Sequence, residues 1–259
     1  MCETFQQTRH RTQVESFRPP QLVDDETYYN IMRSLNDKQR RFVQQVICKL
    51  KTTDDAFHYF LSGGAGVGKS HVIHAIVQTI LRLDFNIPTT ATDQSPVIVC
   101  APTGKAAFNV LGMTLHCVFK LPPNQASNDK FKNLDNGPLN TLRAKLNRAK
   151  LFIIDEISMT SVKQLHQIDS RLQQIYGNNN PFGGKSIIVC GYLRQLPPVM
   201  GKLVFLPPNT NAGDILGPTL WRNFRLYELN EIMRQRGQHD FCNALNNMAE
   251  GTMTRMTYR

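Results

Sequence analysis

Within FLSGGAGVGKSHV, residues 60–72, the positions Gly63, Gly68, Lys69 and Ser70 fit the spacing G-x-x-x-x-G-K-[ST]. In that pattern backbone N–H groups wrap a phosphate chain, the lysine reaches its outer phosphates and the hydroxyl binds Mg²⁺. The spacing carries this meaning only between a strand and a helix. Residues 56–61 (AFHYFL) read as a short apolar strand, and Val72, Ile73, Ile76, Val77, Ile80 and Leu81 recur at helical intervals behind the glycines. Strand, turn and helix therefore stand in the required order. The helix N-terminus adds free N–H groups and partial positive charge where phosphates would lie.

Further along, residues 97–100 (VIVC), 151–154 (LFII) and 186–190 (SIIVC) are short apolar runs of the kind buried on both faces of a parallel sheet. Helical patterns between them predict a doubly wound α/β fold, a parallel sheet with helices on both faces and ligands at the carboxyl ends of the strands. Each run ends in polar residues suited to such a site: SGGAGVGKS after the first, APTGK after the second, DE after the third and GYLRQLPP after the fourth. Asp155 and Glu156 form the carboxylate pair an Mg²⁺-nucleotide enzyme needs at a strand end. The aspartate suits the octahedral oxygen shell of the metal, and the glutamate suits orienting and deprotonating a water. Before the first strand, residues 37–51 carry Phe42, Val43, Val46, Ile47 and Leu50 on one stripe and predict an amphipathic helix. Residues 125–138 and 207–218 are rich in turn formers and read as surface loops.

The 259 residues suffice for one large α/β domain, or one domain and the start of another, and 41% hydrophobic content supports a core. Thirty Lys+Arg against twenty Asp+Glu leave a net charge of +10, which favours a polyanionic partner such as nucleic acid. The basic stretch 130–150 reads either as an electrostatic track for that partner or as a solvated helical face. Cysteines at 2, 48, 100, 117, 190 and 242 are too scattered for a C-x-x-C zinc pair and read as reduced thiols of an intracellular protein. His71 and His74 share a helix side without a third ligand spaced nearby, which favours a surface pair over a metal site. No run approaches the roughly 20 apolar residues of a membrane span, and the polar start, MCETFQQTRHRTQVESFRPP, lacks the apolar centre of a secretory signal. No membrane partner is expected.

Six stretches follow in one order: LNDKQ (35–39), GGAGVGKS (63–70), APTGKAAFNVLGMTLHCVF (101–119), IIDEISM (153–159), QLPPV (195–199) and LNEIMRQR (229–236). Together they resemble the glutamine motif, Walker A, motif Ia with its Thr-Leu-His segment, Walker B, motif III and motif IV of the Pif-type (petite integration frequency) DNA helicases. These are RecD-like members of superfamily 1, and the resemblance runs from about residue 33 to 250. It implies a P-loop NTPase RecA-like domain and an ATP-dependent DNA helicase, with ATP and Mg²⁺ as cofactors. Residues 1–27 are then a flexible polar lead, 28–230 the first RecA-like ATPase domain, and 231–259 the beginning of an incomplete second one, with a helix at 241–248.

Carried over position by position, the resemblance implies that Gln39 reads the adenine edge and that Gly63, Gly64, Ala65, Gly66, Val67, Gly68, Lys69 and Ser70 hold the nucleotide phosphates. Ser70 and Asp155 hold the metal. Lys69, Glu156 as general base, Gln195 as γ-phosphate sensor and Arg234 as the transition-state cation carry the catalysis. Thr103, Gly104, Lys105, Asn109, His116 and Phe119 would face DNA, the lysine on phosphate and the two rings on bases. The residue types suit these roles, since a glutamine amide pairs bidentately with adenine and a guanidinium suits phosphoryl oxygens. Alternative places for His116 and Phe119 are a buried hydrogen bond and the core. The implied partners are single-stranded DNA and duplex/single-strand junctions. The implied setting is DNA repair, recombination or telomere maintenance, in the nucleus or mitochondrion of a eukaryote and otherwise in the cytoplasm. Oligomeric state is left open.

Two departures bear on activity. Gly191-Tyr192 stands where the family has Gly-Asp before Gln-Leu-Pro-Pro, with Arg194 in place of an apolar residue, and the chain stops at Arg259, soon after motif IV. A decayed module that binds ATP and DNA without catalysis is therefore one alternative. A P-loop kinase or GTPase is another, but neither needs the glutamine motif, APTGKAA or QLPPV, and the guanine-reading Asn-Lys-x-Asp is absent.

Overall fold

The computed structural model describes residues 20–85, 94–122, 131–199, 201–207, 220–233 and 247. Strands form at the four apolar runs and at two further places: β1 His58–Gly63, β2 Val97–Ala101, β3 Met113–Thr114, β4 Leu151–Ile154, β5 Ser186–Gly191 and β6 Arg225–Leu229. All pair in parallel, in the order β3-β2-β4-β5-β1-β6. β4 has the expected bounds. β1 lies further along than residues 56–61, because Ser62 and Gly63 pair with Gly191 and Leu229 and so belong to the sheet. The edge strands β3 and β6 escaped the sequence pattern. β3 is two residues long, and β6 leaves Arg225, Leu226 and Glu228 exposed, so neither shows a continuous apolar run.

Successive strand residues face opposite ways, and this period of two sorts the sheet into two cores. Tyr59, Leu61, Val97, Val99, Leu151, Ile153, Ile188 and Cys190 share one buried cluster, and Phe60, Ile98, Cys100, Phe152, Ile154, Ile187 and Val189 share the other. The first is covered by the helices α1 Asp25–Arg33, α2 Asp37–Thr52 and α3 Lys69–Phe85. On the carboxyl side of β2 comes the short α4 Gly104–Asn109. The second core is covered by α5 Leu115–Phe119, α6 Asn136–Leu146 and α7 Val162–Tyr176. Helix starts follow from side-chain caps. Asn36 and Gln39 form a reciprocal capping box at α2, Ser161 and Gln164 form another at α7, and α7 ends on Gly177 at φ +67°.

The expected lead 1–27 is corrected over its described part. Val23 N–H donates to Gln78 Oε1, Gln78 Nε2 donates to the Gln21 carbonyl and Arg82 donates to the Val23 carbonyl, so this stretch is tied to α3 and runs into α1 from Asp25. The loop expected at 125–138 gives way to α6 at Asn136, and the helix expected at 241–248 lies outside the described residues apart from Asn247. Of the loop expected at 207–218, only Pro207 is described. Cys48, Cys100 and Cys190 are free thiols, the second and third fully buried, and Cys117 is half-buried. Among the described residues no helix is long and apolar enough to cross a membrane.

Candidate functional site

The polar ends of β1, β2, β4 and β5 meet at the carboxyl edge of the sheet, with β5 lying between β1 and β4. The turn after β1 is built on Gly66 and Gly68, both at φ +80°, a conformation that favours glycine. A Cβ on Gly63 would stand 2.6 Å from Val67 Cγ2, and one on Gly68 would stand 2.6 Å from Gln39 Nε2. Val67 is buried, while Gly64, Ala65, Gly66 and Gly68 are half-buried and Ser70 is exposed. The Lys69 ammonium donates to the carbonyls of Gly63 at 2.6 Å and Gly64 at 3.0 Å. Burial lowers its proton affinity, and the nearby charges of Asp155 and Glu156 act the other way.

Asp155 continues β4 by donating its N–H to the Cys100 carbonyl at 2.8 Å, yet its carboxylate is 4% exposed and Oδ1 has no hydrogen-bond partner among the described residues. Burial above all pushes its pKa up to about 6, opposed by a hydrogen bond from the Glu156 backbone and by the Lys69 charge, while the Glu156 charge adds to the rise. A buried acceptor left open costs free energy unless something fills it. With the half-buried Lys69 cation nearby and the Ser70 hydroxyl next to it in the chain, this donor set fits a hard divalent cation carrying phosphate. Glu156 is held at φ 52°, ψ 46°, left-handed and uncommon for a residue with a side chain, and is half-buried. Gln195 is half-buried in the turn after β5, its N–H donating to the Tyr192 carbonyl. Arg234 lies outside the described residues.

Gln39 is fully buried under the turn. Its Oε1 accepts from Asn36 N–H at 3.0 Å, and its Nε2 donates to the Val67 carbonyl at 2.9 Å, leaving one N–H and one lone pair. The chain beyond β6 packs against the same place. Met233 N–H donates to the Gly66 carbonyl at 2.9 Å, Asn36 Nδ2 reaches Met233 Sδ at 3.3 Å and Lys38 Nζ reaches Asn230 Oδ1 at 3.4 Å. Sequence reading missed Asn36, Asn230 and Met233. Only Asn36 had a local signal, as the Asn-x-x-Gln of a capping box.

Of the residues expected to face DNA, Gly104, Lys105 and Asn109 are exposed and Thr103 is half-buried, its hydroxyl capping α4 by accepting from Ala106 N–H at 3.2 Å. His116 is half-buried. Phe119 is corrected: it is 0% exposed, 5.9 Å ring to ring from Phe152, because α5 packs this face into the second core. The exposed aromatic of this stretch is Phe108. In the basic stretch, Arg143 donates to the Ile175 carbonyl and Arg148 pairs with Asp84 at 2.6 Å, so these two cations serve the fold. On α3, His71 Nε2 meets Ser34 Oγ at 2.7 Å, and His74 lies by the Asn109 backbone.

The PIF1-like helicase family profile matches residues 34–259. The ATP-dependent DNA helicase PIF1 of Candida albicans is 30% identical over 236 residues, which cover 87% of this chain and 24% of that protein. Its namesake in Saccharomyces cerevisiae is 29% identical over 212 residues, 81% of this chain and 23% of that one. Among solved structures, Pif1 helicase from Bacteroides in complex with ADP-AlF3 and ssDNA is similar with a TM-score of 0.64 and 28% identity over 86% of this chain and 48% of that chain. The Candida albicans Pif1 crystal structure gives 0.62 and 28%, over 86% and 46%. The chain thus spans about a quarter of the length of these curated relatives and about half of the solved chains.

Proposed function

This chain belongs to the PIF1-like helicase family, and we propose that it binds Mg-ATP on the 63–70 turn and single-stranded DNA beside it, as the first motor domain of an ATP-dependent DNA helicase. The observation that carries the reading is the buried Asp155 carboxylate with an open Oδ1, near the half-buried Lys69 ammonium at the end of a glycine-rich turn. Mg²⁺ supplies positive charge to phosphoryl oxygens when bound. On this reading Ser70 and Asp155 hold the ion, and Lys69 exchanges the Gly63 and Gly64 carbonyls for the outer phosphates. Glu156 takes the proton of the attacking water, Gln195 contacts the γ-phosphate and Arg234 steadies developing charge. Gln39 reads adenine with its remaining N–H and lone pair while bracing the turn.

Thr103, Gly104, Lys105, Asn109 and His116 face the strand. Single-strand binding is supported by the net charge and by the related Pif1 solved with ssDNA, and junction binding by the relatives described at forked duplex DNA. Family membership alone supports a setting in repair, recombination or telomere maintenance, within the nucleus, mitochondrion or bacterial cytoplasm. The chain spans about half of the related solved chains, and these residues are assigned the nucleotide- and strand-binding part of the work. Tyr192 favours a second reading, binding without turnover, because it takes a carboxylate's place next to Gly191 at the end of β5.

The test is Mg-ATP binding and hydrolysis with and without single-stranded DNA, using Lys69→Ala as control. Binding by the wild type and loss of at least tenfold in the folded variant are expected, because the variant lacks the turn's cation. Retained binding in that variant overturns the phosphate assignment. Binding without DNA-stimulated turnover selects the second reading.

A further inference from the structure

Helix α4 buries Ala106 and Ala107 and turns Lys105, Phe108 and Asn109 outward. Phe108 is 78% exposed, more than any other described large hydrophobic side chain, and Leu111, just past the helix end, is 66% exposed. Leu111 also sits at φ 51°, in left-handed backbone that a leucine rarely adopts. The turn is locked in place. Leu111 N–H donates to the Phe108 carbonyl at 3.1 Å, Gly112 N–H donates to the Ala107 carbonyl at 2.8 Å, and a Cβ on Gly112 would stand 2.5 Å from the Val99 carbonyl oxygen. Strained backbone thus holds two apolar side chains in solvent, where they return no burial energy to the fold.

The surroundings say what suits that surface. From Gln94 to Asn128 the sequence contains no Asp or Glu, while Lys105 lies one helical turn before Phe108 on the same exposed face. An aromatic ring one turn from a cation, on a stretch of sequence free of carboxylates, complements a chain that alternates flat bases with phosphates. We propose that Phe108, in the place sequence reading gave to Phe119, is a stacking platform for a base of single-stranded DNA, with Lys105 on the adjoining phosphate. Leu111 extends the apolar floor. The proposal rests on the single-strand reading above and adds the residue through which bases, as distinct from phosphates, are felt.

The experiment compares fluorescence anisotropy of the 259-residue chain on labelled oligothymidylate and on an abasic oligomer with the same number of phosphates. The wild type should prefer the base-bearing oligomer by about tenfold, the scale of one base–aromatic stack. Phe108→Ala should abolish that preference and leave the salt slope unchanged, and Phe108→Tyr should keep both. Lys105→Ala should keep the preference and lower the slope by about one unit. A Phe108→Ala chain that still prefers bases overturns the inference and leaves strand binding intact. So does an equal loss on both oligomers, which would mark Phe108 as a contact for protein or backbone. A wild type that binds neither oligomer overturns the single-strand reading and this inference with it. Because Phe108 is exposed, an unchanged melting temperature should accompany the alanine variant.

Discussion

At the scale of single residues, the nucleotide turn depends on a glutamine that does two kinds of work. The Gln39 amide closes the α2 capping box through Asn36 and braces the turn through Val67, a residue 28 positions away. Gln39→Ala should therefore cost about 1–3 kcal/mol, since a buried carbonyl and an N–H lose their partner. Urea denaturation measures that cost. The proposed adenine contact adds a separate expectation, that ATP affinity falls more than GTP affinity in the same variant. An equal fall for both nucleotides would confine Gln39 to bracing. Asn-x-x-Gln was readable as a helix start, but its reach to Val67 was not, because a contact across 28 residues leaves no mark in local spacing.

Among the elements, α7 anchors the stretch that returns from α5 to α6. Arg171 is 2% exposed and meets no carboxylate in its hydrogen bonds. Its Nε donates to the Phe119 carbonyl, one terminal nitrogen to Lys132 O and the other to Gln174 Oε1, and its guanidinium lies over the Phe131 ring. Burial lowers its pKa to about 10. Both sides of the connection thus close on one side chain. Arg171→Met keeps the bulk and removes the fork, and should cost about 2–3 kcal/mol, the range for a few charge-assisted bonds. Arg171→Lys, with a point charge in place of the planar fork, should recover only part of that. Hydrogen exchange at residues 131–135 should speed up in the methionine variant, and unchanged exchange there would show that the connection is held elsewhere.

Over the whole molecule, three half-buried histidines set a pH dependence. Burial lowers the pKa of His58, between the Phe182 and Phe224 rings, and of His74 and His166, so the fold favours their neutral forms. Their contribution is present above the ordinary histidine value of 6.5 and is lost as pH falls from there toward the lowered values. Asp155 works in the opposite direction: its pKa of about 6 against an ordinary 3.8 means that the free chain gains stability as pH falls through that window. Asp169, also raised by burial, acts with Asp155. Between denaturation midpoints at pH 7 and pH 5, His58→Phe, which keeps the ring packing, should shift the balance toward stability at pH 5, and Asp155→Asn should shift it toward stability at pH 7. A slope unmoved by His58→Phe would show that this ring is not buried neutral. The sequence alone determined the α/β class, the glycine turn before α3 and the Asp155–Glu156 pair at the end of β4. Those signals are local, because spacing along a strand, turn or helix follows directly from backbone geometry. The tertiary structure decided which aromatic near α4 meets solvent, Phe108 or Phe119, and brought Met233 onto the turn beside Gln39. A short helix has no side of its own until distant strands pack against it, and that packing is settled by residues far away in the chain.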